Sequence, residues 1–208
     1  MFAVYLFVHE FGHNFGGLGD EYFTSDVAYE TGQAEKPEPW EPNLTALHDP
    51  TKLKWRDLIE PGTPVPTPWE KEVFEKHSRE VQELRRKLRA EGAPEEQMEK
   101  LFREQQAFET KLLSGMKYSG KVGAFEGAGY ESKGLYRPRT DCIMFARDEV
   151  GFCPVCRRAI SRVIDLYARP GPRSSAATSP APEAARVALR SHSHFLVFAP
   201  QWRPREAC

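Results

Sequence analysis

Two histidines and a glutamate near the amino terminus have the types and spacing of a metal-dependent hydrolytic site. His9 and His13 are four residues apart in the string HEFGHNFGGLGDEY, so on a helix their imidazoles project from one face, one turn apart. Both rings can then reach one zinc ion. Glu10 lies about 100° around the helix from His9, beside the metal but not bound to it. We interpret Glu10 as a general base that takes a proton from metal-bound water and passes it to the leaving amine.

A catalytic zinc ion needs a third protein ligand, and the glycine-rich segment after His13 offers one. Asp20 lies in the segment GGLGDEY, whose glycines allow the chain to turn back toward the metal. We predict Asp20 as the third ligand. Glu21 is the neighbouring alternative, and Glu30 is a distant one if the ligand comes from a second helix.

Hydrophobic periodicity predicts the helix that carries the two histidines. Apolar residues dominate positions 2–15, and the pattern stops at Gly16 and Gly17, where glycine allows the left-handed turn that ends many helices. Because the histidines have apolar neighbours, we expect this helix to be buried. Histidines without partners would be costly there, which favours a metal-binding role.

A second, longer helical pattern occupies residues 68–113. Apolar residues recur there in steps of three and four, and Gly92 and Pro94 divide the pattern into two halves. Thr67 and Glu70 stand at its start in the arrangement of a capping box. We predict an antiparallel helical hairpin with a charged surface and one narrow apolar seam.

The other segments divide into a packed part and a tail. Residues 119–140 are rich in glycine and aromatic residues, which predicts a loop region packed against the domain. Residues 141–168 contain three of the four cysteines and end in an amphipathic helical pattern. Residues 169–208 are rich in proline, alanine and serine, which is typical of disorder. We therefore predict one domain over residues 1–168, followed by a tail.

Composition excludes several classes of protein. The 208 residues include 29 basic and 30 acidic side chains, for a formal net charge of −1. Because no overall positive field exists to attract nucleic acid or an anionic membrane, we expect neither as a partner. No apolar run approaches the ~20 residues that span a bilayer. Residues 1–8 are apolar but lack the basic start and cleavage site of a signal peptide.

Four motifs in order resemble those of one peptidase family. HEFGHNFGGLGDEY is followed by GAFEGAGYESKGLYRP, DCIM and FCPVCRRAI, and together they resemble the clostridial-type IgA peptidases, zinc metallopeptidases of the zincin superfamily. The resemblance covers residues 1–168 in pieces. It implies a secreted endopeptidase with an α+β, metzincin-like catalytic domain that acts on proteins or peptides. His9 and His13 correspond to zinc ligands, Glu10 to the general base, and Asp20 to the family's DEY position.

The resemblance also suggests supporting residues. Met144 in DCIM resembles the methionine turn, which forms a hydrophobic floor under the zinc ligands. Tyr130 in EGAGY and Tyr136 in GLYRP are candidates to stabilise a tetrahedral oxyanion. For each tyrosine, simple packing in a glycine-rich loop is at least as good an interpretation.

Because the family resemblance implies secretion, we favour a disulfide among the cysteines. A bridge from Cys142 to Cys153 or to Cys156 would tie the methionine turn to the final helix, and the sequence leaves the pairing open. A structural zinc site made of four cysteines would need Cys208 from the predicted tail, which disfavours it.

Two departures from the family pattern keep other functions open. The family's domain has a sheet and a helix before the active-site helix, so we expect that this sequence is truncated at its amino terminus. The hairpin at residues 68–113 resembles an insertion. The alternatives are therefore an inactive zinc-binding relative, or an interaction protein that works through the hairpin. Separately, residues 43–45 (Asn-Leu-Thr) form a sequon of the glycosylation type.

Overall fold

The computed structural model describes residues 2–23, 36–145 and 150–168. These ranges contain four α-helices: α1 (Phe2–Gly16), α2 (Lys71–Ala90), α3 (Glu95–Gly115) and α4 (Pro154–Ala168). They also contain two short 3-10 helices, Pro50–Lys52 and Arg56–Leu58, and one antiparallel sheet of β1 (Phe125–Ala128) and β2 (Glu131–Arg137). A mixture of helices and a small antiparallel sheet fits the predicted α+β class.

Helix α1 confirms the predicted helix and its end. It stops at Gly16, and Gly17 has the positive φ of 61° that the glycine pair predicted. The expectation that the helix is buried is correct for one face only. His9 lies on the buried face, whereas Val4 and Phe7 are each 72% exposed. The apolar pattern therefore located the helix correctly but overestimated how much of its surface the described residues cover.

The main hydrophobic core combines residues from the loop after α1, from α2 and α3, from the turn that carries Met144 and from α4. Helices α1 and α4 pack against each other, and Leu18, Met144 and Val155 share one buried cluster with Trp55. The indole of Trp55 is fully buried and donates a hydrogen bond to the carbonyl of Gly123 at 2.7 Å. A buried indole N–H needs such a partner, and this one fixes the loop before β1 on the core.

Helices α2 and α3 form the predicted antiparallel hairpin. His77 stacks on Phe108 with ring centroids 3.7 Å apart, and the guanidinium of Arg85 lies 5.3 Å from the ring of Phe102. Because the partner numbers fall as the α2 numbers rise, the two helices run in opposite directions. A small apolar cluster between them includes Val81, and it corresponds to the narrow seam predicted from the sequence.

The predicted capping box at the start of the hairpin is wrong. Helix α2 begins at Lys71, and no side chain caps its first turn. The hydroxyl of Thr67 instead donates to the carbonyl of Pro64 at 2.6 Å and accepts from the N–H of Ala124 at 2.9 Å. A tertiary contact with the loop before β1 has replaced the local cap.

The glycine-rich segment at 119–140 is not only a loop, because it contains the β-hairpin of β1 and β2. Gly129 and Tyr130 form its two-residue turn, with φ values of 58° and 66° between the paired residues Ala128 and Glu131. Positive φ at both central positions is the signature of a type I′ turn, which matches the twist of paired strands. The turn places the Tyr130 side chain at the tip of the sheet.

Several sequence predictions fall outside the described residues, namely Glu30 as a ligand and the tail at residues 169–208. Within the described part of the chain, no helix combines the length and apolar character needed to cross a bilayer.

Candidate metal centre

Three predicted metal ligands come together at the buried face of α1. The Nε2 atoms of His9 and His13 lie 3.0 Å apart, and each lies 3.1 Å from Oδ1 of Asp20. The side chains are 6%, 26% and 14% exposed in that order, so the group is sheltered but open on one side. Three donor atoms in a nearly equilateral triangle are therefore available to one ion.

Hydrogen bonds on the far side of each ring fix the imidazole tautomers. Nδ1 of His9 lies 2.9 Å from the carbonyl oxygen of Ile143, and Nδ1 of His13 lies 2.6 Å from that of Leu18. A carbonyl can only accept, so each Nδ1 carries the hydrogen. In the neutral rings each Nε2 then presents a lone pair toward the other ring and toward Asp20, which is the arrangement of metal-ligating histidines.

The chemistry of this donor set fits a divalent cation. Two nitrogen lone pairs and a carboxylate oxygen at 3.0–3.1 Å repel one another unless a positive charge lies between them. Imidazole and carboxylate are both common zinc ligands, and three protein ligands are the usual number for a catalytic site. His9, His13 and Asp20 could therefore hold zinc.

Both oxygens of Asp20 have partners. Oδ2 accepts a hydrogen bond from the hydroxyl of Tyr130 at 2.5 Å, and the hydroxyl of Tyr22 lies 2.7 Å from that of Tyr130. Burial alone would raise the pKa of Asp20, but the proximity of His9 and the hydrogen bond from Tyr130 outweigh burial and lower the pKa. Burial raises the pKa of both tyrosines. The result is an ionised carboxylate held by neutral phenols.

The loop that carries Asp20 is fixed by its backbone. The carbonyls of Asp20 and Tyr22 accept from the N–H groups of Gly129 and Tyr130, both at 2.9 Å, so the turn of the β-hairpin is attached to this loop. The N–H of Glu21 donates to the carbonyl of Met144 at 2.8 Å. Asp20 is thus positioned by hydrogen bonds from two separate segments.

Asn43 also holds this loop, a role that the sequence analysis did not predict. Its amide accepts from the N–H of Gly19 at 2.8 Å and donates to the carbonyl of Gly19 and to Oε1 of Glu21, both at 2.9 Å. Asn43 is completely buried. Because this side chain is inaccessible and fully hydrogen-bonded, the fold does not present the sequon at residues 43–45 for glycosylation. Only the three-dimensional contact reveals the role, since Asn43 is far from Gly19 in sequence.

Met144 lies where a methionine turn would lie. It is fully buried, and a Cβ added to Gly12 on α1 would come within 2.8 Å of its Sδ. The preceding residue, Ile143, supplies the carbonyl that orients His9. The contact with α1 is consistent with the predicted floor, and it explains why a glycine stands between the two histidines.

Glu10 and Glu21 have different surroundings. Glu10 is exposed on α1, and its charge acts on both His9 and Tyr130. Glu21 is completely buried, and its carboxylate lies beside Cys156 instead of the histidines. Consecutive side chains along a non-helical segment project in different directions, so Asp20 and Glu21 belong to different clusters. Glu21 is therefore not the third ligand of the histidine group.

The cysteines do not form the predicted disulfide. Cys142, Cys153 and Cys156 are free thiols. Sγ of Cys156 lies 3.8 Å from Sγ of Cys142 and 3.5 Å from that of Cys153, whereas a bonded pair is about 2.05 Å apart. The structure corrects the prediction: the three sulfurs gather in one place, as expected, but without a covalent bond.

A groove opens beside the histidine group. Its volume is about 620 Å³, and its lining includes His13, Asp20 and Tyr130. Trp40, which is 77% exposed, and Leu135 add apolar surface to the lining. The lining therefore combines apolar surface with a few polar groups, as ligand-binding pockets commonly do.

This arrangement defines a class of protein: two helical histidines one turn apart, a converging carboxylate and an adjacent glutamate are the parts of a metal-dependent hydrolase. A family model described as IgA Peptidase M64 matches residues 1–164. The chain therefore belongs to the IgA peptidase M64 family, and this supports a metallopeptidase that acts on protein or peptide substrates. Among curated proteins, none matches the chain.

Removing the Tyr130 hydroxyl tests its contact with Asp20. We expect Tyr130→Phe to lower zinc affinity by about 10–100-fold, the usual effect of losing a group that orients a ligand. Competition with a chelator of known affinity measures the binding constant. Tyr167→Phe, at a tyrosine of α4 that is 81% exposed, is the control and should keep wild-type affinity. A lower kcat with unchanged zinc affinity would instead support the oxyanion role predicted for Tyr130 from the sequence.

Proposed function

We propose that this chain is a zinc-dependent endopeptidase in which His9, His13 and Asp20 hold the ion and Glu10 is the general base. The observation that carries the proposal is the convergence of the three donor atoms at 3.0–3.1 Å, with both imidazole tautomers set for Nε2 ligation. Membership of a metallopeptidase family supports the same conclusion.

In the proposed reaction the metal ion activates water and Glu10 transfers the proton. Zinc, when bound, lowers the pKa of water toward 7 and polarises a carbonyl oxygen. Glu10 is exposed and adjacent to His9, so its carboxylate can take a proton from the attacking water as the new carbon–oxygen bond forms. The same proton then passes from Glu10 to the amine nitrogen as the carbon–nitrogen bond breaks.

The groove supplies a place for the peptide on either side of the reacting bond. Lys36 and Glu131 line it and form an ion pair at 3.0 Å, while Trp40 presents an exposed aromatic face. Such a lining can bind a main chain and mixed side chains, so we propose proteins or peptides as substrates without assigning a particular sequence. Action outside the cell is part of the proposal and is supported only by the resemblance of the motifs.

Hydrolysis of an unbiased peptide mixture tests the proposal. We expect the full chain to cleave internal peptide bonds, to lose this activity after treatment with a zinc chelator, and to regain it when zinc is restored. Mass spectrometry of the products locates the cleaved bonds. Cleavage that persists at full rate after complete metal removal would contradict the proposal. The proposal would also be contradicted if the chain, with zinc bound in the histidine site, cleaved no peptide.

A further inference from the structure

A second cluster of potential metal ligands lies in the core. It consists of Glu21 from the loop after α1, Cys142 from the turn that carries Met144, and Cys153 and Cys156 from the start of α4. All four side chains are 0–1% exposed. One ligand atom from each residue lies within 4.8 Å of the other three.

The spacing of the sulfur atoms fits ligation of a common ion. In a tetrahedral zinc site with Zn–S bonds of about 2.3 Å, two sulfur ligands are about 3.8 Å apart. Sγ of Cys142 and Sγ of Cys156 are separated by 3.8 Å, and Sγ of Cys153 and Sγ of Cys156 by 3.5 Å. Oε1 of Glu21 lies 3.3 Å from Sγ of Cys156, near enough to complete the set.

The buried carboxylate of Glu21 is incompletely satisfied by the protein. Oε1 accepts a hydrogen bond from Asn43 at 2.9 Å, but Oε2 is buried without a hydrogen-bond partner among the described residues. Arg137 is also buried and contributes positive charge nearby, yet its Nη1 donates to backbone carbonyls of β1. A fully buried carboxylate oxygen without a donor is costly, and a bound cation would remove that cost.

We propose that Glu21, Cys142, Cys153 and Cys156 form a structural zinc site, separate from the histidine group. Three thiolates and one carboxylate supply the four ligands of a closed tetrahedral site, and thiolate is a ligand that zinc favours over the harder divalent ions. Complete burial leaves no position for substrate. Glu21 thus supplies the fourth ligand, for which a site made only of cysteines would have needed Cys208.

An ion in this site would stabilise the segments that position the histidine group. The site joins three segments. Glu21 adjoins Asp20, and Cys142 adjoins Ile143, whose carbonyl orients His9. Cys153 directly precedes α4 and Cys156 lies in its first turn, and α4 packs against α1. An ion at this point would hold these segments together without taking part in hydrolysis. The inference stands independently of the proposed peptidase activity.

Cobalt substitution in a variant without the histidine site tests the inference. The full chain carrying His13→Ala is stripped of metal and reloaded with Co²⁺, and elemental analysis is combined with near-ultraviolet absorption. We expect one ion per chain and a thiolate-to-cobalt charge-transfer band, which the histidine group cannot produce because it has no sulfur. Cys208→Ser added to this variant is the control and should keep the band, whereas added Cys153→Ser should weaken it strongly.

A second measurement avoids any folding defect caused by changing a buried cysteine. In the His13→Ala/Cys208→Ser chain, an organomercurial reagent is titrated against the three remaining thiols while a colorimetric chelator reports free zinc. We expect one zinc ion to be released per chain as the three thiols react. Reaction of the thiols without zinc release, or failure of this chain to retain zinc or cobalt, would overturn the inference. A disulfide found among these cysteines in the native chain would also overturn it.

Discussion

Replacing Glu10 by glutamine is expected to lower kcat for peptide hydrolysis by about 10²- to 10⁴-fold, the usual contribution of a general base. Glutamine has nearly the same size as glutamate but cannot take a proton from water. Because Glu10 is exposed and outside the ligand triangle, the variant should fold and bind zinc as the wild type does. Kinetics on one cleaved peptide, with the zinc content measured in parallel, give the result.

Glu83→Gln is the matched control for this prediction. Glu83 is an exposed glutamate on α2, away from the metal centre in the sequence and on a different helix. This control should hydrolyse the peptide at the wild-type rate. A Glu10→Gln variant with zinc bound and full kcat would show that another group is the base.

Replacing Asp20 by alanine is expected to abolish hydrolysis at ordinary zinc concentrations. The change removes a carboxylate that contacts both histidines, so the loss of zinc affinity should exceed the ~10–100-fold typical of groups that only orient a ligand. The effect on folding should be small, because Asp20 is partly exposed and its loop is held by backbone hydrogen bonds to Gly129 and Met144. Activity measured across a series of buffered free zinc concentrations gives the affinity.

Asp57→Ala is the control for the loss of an aspartate. Asp57 is 69% exposed, forms an ion pair with Arg158 and belongs to neither group of potential metal ligands. Its activity and zinc affinity should match those of the wild type. If Asp20→Ala also kept wild-type zinc affinity, the third ligand would have to be sought elsewhere.

The histidine pair could be predicted from sequence because helical periodicity alone dictates it. Residues four apart on a helix share a face whatever else the chain does, so His9 and His13 needed no tertiary information. Asp20 was also anticipated, but its distinction from Glu21 depends on which way two consecutive side chains project. The contacts of Asn43 and Met144 with the loop decide that, and they join residues far apart in sequence.

The β-hairpin was missed because its turn has unusual residues. Type I′ turns favour asparagine and glycine at the two central positions, whereas this turn uses Gly129 and Tyr130, with tyrosine in the left-handed region. A bulky residue in that region is strained by about 1–3 kcal/mol. Here its hydroxyl meets Asp20, so the residue that obscured the turn in the sequence is one that supports the metal centre.

The cysteine cluster shows a different limit of sequence reasoning. Counting cysteines led to a disulfide or to a four-cysteine site that required Cys208, because a mixed ligand set from distant motifs cannot be identified by spacing. Glu21 is separated from Cys142 by more than half the chain, and only the fold brings them together. The start of α2 was misplaced for a similar reason, since Thr67 satisfies a distant backbone group instead of capping the helix.

The zinc content of the full chain and of its His13→Ala variant tests the central claim most directly. Both proteins are purified under the same conditions, dialysed against the same buffer and measured by elemental analysis. If His9, His13 and Asp20 hold the catalytic ion, the variant contains one zinc ion fewer per chain than the wild type, whatever the cysteine cluster binds. Equal zinc content in the two proteins would contradict the claim.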